Sequence, residues 1–317
     1  MNEIRVGVIG LGSIGLRMLA AFGEHPDFVG ILAWDPSPGA IEAARAAFPN
    51  LRIAASASEV TGTRSLDLIY VACPPDRHAA YALAARSANK AVLCEKPLGI
   101  DIADSEALVS AMATGPAHGV NFLLAASRPA STLYNLVADG ELGCIHHVEV
   151  RMHLRKWSEN RYLIAPWLAN SRAGGFLREV GSHYIYFARH MLGDLTLHSA
   201  HVEGRNDTSA EHFAHILLHA GDIPITMTGS TSSGKPDANV CVVHGDSATY
   251  RIRDFHWLDV ASASGWLPAY PEPEMPERET HLRQLDNVKR LLGGDKKAAA
   301  SFSDALAVQR LVEAMLA

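Results

Sequence analysis

Residues 4–17 read IRVGVIGLGSIGLR, and the fold of the first part of the chain turns on how they are read. An apolar run of strand length stops at Gly10. Gly10, Gly12 and Gly15 stand in GxGxxG spacing, and Ile14, Met18, Leu19 and Phe22 then recur at helical period. Such glycine spacing is a weak signal alone, but between a strand and a helix it acquires a mechanism. Gly10 permits a tight turn, Gly12 lets backbone approach a pyrophosphate, and Gly15 lets the helix pack on the strand. The loop residues Leu11, Ser13 and Ile14 belong to the same cradle, where the helix start offers N–H groups to phosphate oxygens. Asp35 closes the next strand-like run, ILAWDPS, where a carboxylate accepts from ribose hydroxyls and repels a 2′-phosphate. No arginine follows it immediately, the next basic residue being Arg45. The expected cofactor is NAD, with NADP disfavoured.

Working outward, further strand-like runs stand at 28–34, 51–54, 66–73, 91–94 and 119–124, most of them separated by stretches of helical period. Asp101 is placed to cap a helix over 102–113. The strand runs are apolar throughout rather than alternating, as in a parallel sheet covered on both faces. Residues 1–122 are therefore expected to form a doubly wound α/β (Rossmann) domain.

Beyond residue 122 the texture changes. In HVEVRMHLR (147–155), Val148, Val150, Met152 and Leu154 alternate with Glu149, Arg151, His153 and Arg155. Comparable runs follow at 196–203, 213–219, 223–229, 239–244 and 248–260, with a helix over 175–192 between them. Two more helices, 279–292 and 303–316, close the chain after an irregular loop at 270–277. Residues 123–317 are expected to form an α+β domain with a large, mainly antiparallel open sheet.

At 317 residues the chain exceeds one ordinary core, which agrees with two domains. A net charge of −6 argues against nucleic-acid and anionic-membrane partners, which require a basic face. No run reaches the roughly 18 apolar residues of a membrane span. Met1 leads almost directly into a strand-like run, with no signal peptide expected. Cys73, Cys94, Cys144 and Cys241 are scattered without a CxxC pair and read as thiols of a reducing, cytoplasmic compartment.

One stretch remains, AVLCEKPLG at 91–99, where a buried-looking strand ends in an acid, a base and a proline. Open parallel sheets keep their ligand crevices at such carboxyl ends. Together with DLIYVACPPDRH (67–78), DGELGCIHHVEV (139–150) and GGFLREVGSHYIYFARHMLG (174–193), it gives the chain a resemblance to the glucose–fructose oxidoreductase/inositol dehydrogenase (Gfo/Idh/MocA) family. The motifs occur in family order along essentially the whole chain. The resemblance implies hydride transfer between NAD(P) and a sugar-like alcohol or carbonyl, and a homodimer or homotetramer formed through the second sheet. It implies that Glu95 and Pro97 shape the site, often with a cis bond before the proline. It implies too that Lys96 reaches substrate and cofactor, and that Pro74 and His78 line the cofactor site. A lysine there makes chemical sense, since its charge stabilises a developing alkoxide. Glu179 and His183, four apart and so on one helical face, match the family's usual aspartate and histidine. His183 would take the hydroxyl proton, oriented by Glu179.

Departures from the family pattern bear on the substrate. Glu179 replaces the commoner aspartate, and Tyr186 stands where many relatives carry a second carboxylate. NFLLAASRPA (121–130) lacks the aromatic–arginine pair of many relatives, having Arg128 later. Arg155, Trp157, Trp167 and Arg172 are candidates for sugar contacts, and each is equally a packing residue. His212, His215 and His219 have the spacing of zinc ligands on a helix, but a strand there turns His212 away from the other two, so no metal is expected. Two other activities share these motifs: a glycosidase working by transient oxidation with tightly held NAD, and a dinucleotide sensor without catalysis. Retention of Lys96 and His183 argues against the sensor.

Overall fold

The computed structural model describes residues 3–155, 166–206, 208–231 and 238–317. The chain divides into two compact units, Met1–Phe122 with His281–Ala307, and Leu123–Thr280 with Val308–Ala317.

The first unit is built on β1 (Ile4–Ile9), β2 (Phe28–Trp34), β3 (Arg52–Ile53), β4 (Leu68–Val71), β5 (Ala91–Glu95) and β6 (His118–Asn121). They form one parallel sheet in the order β3-β2-β1-β4-β5-β6. Every residue of β4 and β5 is buried, which is why those segments carry no polar alternation. Helices α1 (Ser13–Glu24), α2 (Pro38–Ala47), α3 (Ala57–Gly62), α4 (His78–Ser87) and α5 (Ile102–Met112) return the chain between strands. Asp101 caps α5 as expected, accepting from Asp104 N at 3.0 Å. Phe22 of α1 meets Tyr70 of β4 edge-on at 5.9 Å, and both rings are fully buried. Burying a ring of this size stabilises the fold by about 1.5–3 kcal/mol. The strand order reverses between β1 and β4, so a crevice opens at their carboxyl ends, beside the glycine loop.

The closing segment departs from the expected division, which assigned all of 123–317 to the second domain. Residues 281–307 group with the first unit. Leu285 and Val288 of α9 (Pro276–Leu292) are fully buried and join the core formed by Val6, Phe28 and Tyr70. Val120 N donates to Ala300 O at 2.8 Å on the edge of β6. A helical period shows that a face is apolar, not which core it meets. The strand expected over 119–124 also stops early, at Asn121, and Leu123–Ala126 forms a helical turn, α6.

The second unit carries β7 (Ile145–His153), β8 (Thr196–Glu203), β9 (Phe213–Ala220), β10 (Ile223–Ser230), β11 (Ala238–Gly245), β12 (Thr249–Arg253), β13 (Trp257–Ser262) and β14 (Gly265–Pro268). Their order is β14-β13-β12-β11-β7-β10-β9-β8 among the described residues. Pairing is antiparallel except between β7 and β10, which run parallel. Val148, Val150 and Met152 are buried while Glu149 and Arg151 pair across the other face at 3.1 Å, so the alternation read from the sequence holds. The run expected over 248–260 is broken by a turn into β12 and β13. The edge strand β14 is exposed at every position and therefore has no alternation to betray it. Helices α7 (Arg128–Ala138), α8 (Ser182–Leu192) and α10 (Phe302–Leu316) complete the described helices. No helix among the described residues is long and apolar enough to cross a membrane.

Candidate active site

In the first unit the glycine loop behaves as its spacing suggests. Gly10 has φ +104°, and a Cβ on it would lie 2.5 Å from the Ala72 carbonyl. A Cβ on Gly15 would lie 2.0 Å from Gly10 O, so only glycine lets α1 approach the turn. Gly12 is different: it is exposed, and its Cβ would meet nothing within 4 Å. That open space at the start of α1, where no side chain caps the helix, fits a pyrophosphate. Ser13 is exposed beside it and Ile14 half-buried. Leu11 takes another part, its side chain 1% exposed and its N–H donated to Asp35 Oδ2 at 2.7 Å. Asp35 Oδ1 accepts from Ser37 N at 2.8 Å. Asp35 thus ties the loop after β1 to the end of β2, while its oxygens keep lone pairs for a ribose.

The segments after β4 and β5 are joined by His78. Its Nδ1 lies 2.9 Å from Pro97 O and its Nε2 2.8 Å from Cys73 O. Burial pushes its pKa down, opposed by the two carbonyls, which favour the protonated ring. At 1% exposure it offers a ligand almost no surface. His78 thus braces the backbone at Cys73 and Pro97. Pro74 is exposed and opens the short 3₁₀ turn Pro75–Arg77.

Glu95 is 8% exposed and accepts from Asn121 Nδ2 at 2.5 Å and from the Tyr70 hydroxyl. Burial and the neighbouring carboxylate push the Tyr70 phenol far up, so it stays a donor. This buried network fixes the end of β5. Lys96 follows, half-buried, with a cis peptide bond to buried Pro97. A charge thus follows a buried, hydrogen-bonded strand end, on the carboxyl side of the sheet.

In the second unit, Gly174 and Gly175 precede a π turn over Leu177–Gly181, which leads into α8. Gly175 has φ +106°, and a Cβ there would lie 2.3 Å from Glu211 Oε2. Glu211 is 1% exposed and accepts from Leu177 N at 2.8 Å, closing the start of the turn. Burial raises its pKa, against the opposing effect of the Leu177 N–H. Arg178 donates to both carboxylate oxygens of Glu313 at 2.7 Å, and to Ser171 O and Gly174 O. Glu179 and His183 stand on this anchored segment, Glu179 half-buried and His183 6% exposed. π turns of this kind are common where a helix must present functional side chains.

The remaining candidates are dispersed. Tyr186 is 6% exposed and its ring leans on His190 at 5.8 Å. Arg128 lies over the Tyr270 ring at 4.2 Å. Arg155 and Arg172 are exposed and Trp167 half-buried, whereas Trp157 lies outside the described residues. His215 and His219 share the strand β9 and His212 precedes it. No group of three or more His, Cys, Asp or Glu among the described residues could hold a metal. Sequence reasoning missed Glu211, Tyr70 and Asn121, whose roles come from contacts far apart in the chain.

Family models match both parts of the chain: an oxidoreductase family with NAD-binding Rossmann fold over residues 4–118, and the GFO/IDH/MocA C-terminal domain over 131–251. An inositol 2-dehydrogenase from Acidothermus cellulolyticus is 35% identical over 125 residues, which cover 38% of this chain and 35% of that protein. The match therefore spans about a third of that relative's length. A human trans-1,2-dihydrobenzene-1,2-diol dehydrogenase is 23% identical over 282 residues, 86% of this chain and 82% of its own. A levoglucosan dehydrogenase solved with NADH and L-sorbose shares the fold with a TM-score of 0.85 at 19% identity, covering 99% of this chain and 96% of that one. The chain belongs to the GFO/IDH/MocA family of NAD-binding oxidoreductases.

Proposed function

We propose that the protein is an NAD-dependent dehydrogenase or reductase acting on a hydroxyl or carbonyl of a polyhydroxylated ring, such as a sugar, a cyclitol or a sugar derivative. The observation that carries this reading is Lys96, a cation held by buried neighbours at the carboxyl end of β5 in an NAD-binding sheet. The relatives named for inositol and for dihydrodiol oxidation support the substrate class. NAD, when bound, accepts or gives the hydride. Lys96 stabilises the charge developing on the substrate oxygen. His183 takes the hydroxyl proton at an imidazole nitrogen, and Glu179 orients the ring and the substrate. Asp35 selects NAD by facing the ribose hydroxyls.

The same reading places the enzyme in the cytoplasm, in keeping with its four unpaired cysteines. It makes the enzyme a homodimer or homotetramer through the large sheet, whose edge strand exposes Trp266 and Leu267 at 37% and 49%. Light scattering of the purified protein measures the assembly, and a monomer would contradict it. The activity is tested by supplying NAD with a panel of sugars and cyclitols and following reduced cofactor by absorbance. At least one polyol is expected to support turnover. Activity confined to glycosides, with no net cofactor reduction, would contradict the reading.

A further inference from the structure

The turn between β12 and β13 holds two consecutive non-glycine residues in the left-handed region, Asp254 at φ +47° and Phe255 at φ +70°. Asparagine and aspartate tolerate that conformation, whereas a bulky aromatic residue is an outlier there. The turn is closed by His256 N, which donates to Arg253 O at 3.0 Å. It is pinned to β11 in both directions: Asn239 N donates to Asp254 Oδ1 at 2.9 Å, and Asp254 N to Asn239 O at 2.7 Å. The pinned turn delivers the Phe255 ring to α8. There it meets the His183 ring at 5.1 Å with an interplanar angle of 68°, and the Tyr184 ring at 5.3 Å and 80°. Positive φ at both central residues is what a tight hairpin turn of this hand requires, and here the same turn carries the Phe255 ring onto α8.

We propose that Phe255 is a positioning residue for His183. Its ring, set edge-to-face, neither donates nor accepts a hydrogen bond. It occupies the volume into which the imidazole would otherwise turn, so His183 keeps one ring orientation. Tyr184 also packs on the same phenyl ring, edge-to-face at 5.3 Å. The inference rests on the reading of His183 as the base. Its consequence is that the turn geometry helps to set how the base faces its substrate.

The test uses Phe255→Asn, which suits the left-handed backbone but lacks the ring, and Phe255→Tyr, which keeps it. The asparagine variant is expected to retain the wild-type melting temperature to within a few degrees and to bind NAD normally. Its kcat should fall at least tenfold with KM little changed, and a crystal structure should show the His183 imidazole in more than one orientation. Phe255→Tyr should restore both the rate and the single orientation. In a His183→Ala background, Phe255→Asn should cost no further activity, since coupled residues are non-additive. A single unchanged His183 orientation in Phe255→Asn, an unchanged kcat, or a rise in KM alone would overturn the proposal. Near-wild-type turnover of His183→Ala would instead overturn the reading of His183 as the base, and the crystal structure of Phe255→Asn would still decide what holds the ring.

Discussion

Asp35 joins a structural part to a proposed part in cofactor choice, and one substitution removes both. Its carboxylate accepts from Leu11 N and Ser37 N, and in the proposed function it also faces the adenosine ribose. Asp35→Ser should therefore narrow the ratio of catalytic efficiencies for NAD over NADP. It should also raise KM for NAD, because the glycine loop loses its tether. A wild type that already prefers NADP would contradict the assignment. Lys96 is the opposite case, a residue proposed to have a chemical rather than an architectural part. Lys96→Met should leave NAD affinity, measured by fluorescence titration, largely intact while lowering turnover about a hundredfold or more, as expected when charge stabilisation and proton handling are lost together. Near-normal turnover would return Lys96 to an ordinary strand-end lysine. The glycines and Asp35 were legible in the sequence because each acts within a local strand–turn–helix unit. Leu11 and His78 were legible only as members of motifs; that both turn inward, toward Asp35 and toward two carbonyls, is set by contacts a motif does not record.

At the scale of elements, the π turn before α8 depends on Glu211, a residue 34 positions away from the N–H it caps. The paired glycines at 174–175 announced a turn in the sequence. Why Gly175 must be glycine becomes plain only when the Glu211 carboxylate is found against it. Because burial raises the Glu211 pKa above its value in the unfolded chain, the folded protein binds that proton more tightly. The sign follows: the ionised carboxylate is a growing liability as pH rises from the unfolded value of 4.5 through the raised folded one. Glu211→Gln keeps an acceptor for Leu177 N and removes the charge. Its melting temperature relative to wild type should be higher at pH 8 than at pH 5, by on the order of a few degrees. A variant that loses stability at pH 8 would show that the charge itself holds the turn. Asp259 behaves oppositely. Burial pushes its carboxyl up, but hydrogen bonds from Arg253 and Arg251 outweigh that and leave it lowered, so its contribution is present at neutral pH and fades in acid.

Across the whole molecule, apolar runs and alternating runs separated the two sheets correctly, since each pattern reflects whether one or both faces are covered. The parallel pairing of β7 with β10 was not legible, because alternation is the same for either direction. Nor was the return of residues 281–307 to the first unit, which is decided by Leu285 and Val288 finding the core around Val6. Of the residues proposed for catalysis, Lys96 belongs to the first unit and Glu179 with His183 to the second. The most direct measurement is of the hydride itself. A polyol substrate found in the panel is deuterated at its reacting carbinol carbon and turned over with NAD, and the cofactor is examined by NMR. Deuterium should appear at C4 of the nicotinamide on one face, and its transfer should slow about a hundredfold or more in Lys96→Met. Reduced cofactor without deuterium, or product formed with no label on the nicotinamide, would contradict hydride transfer from that carbon.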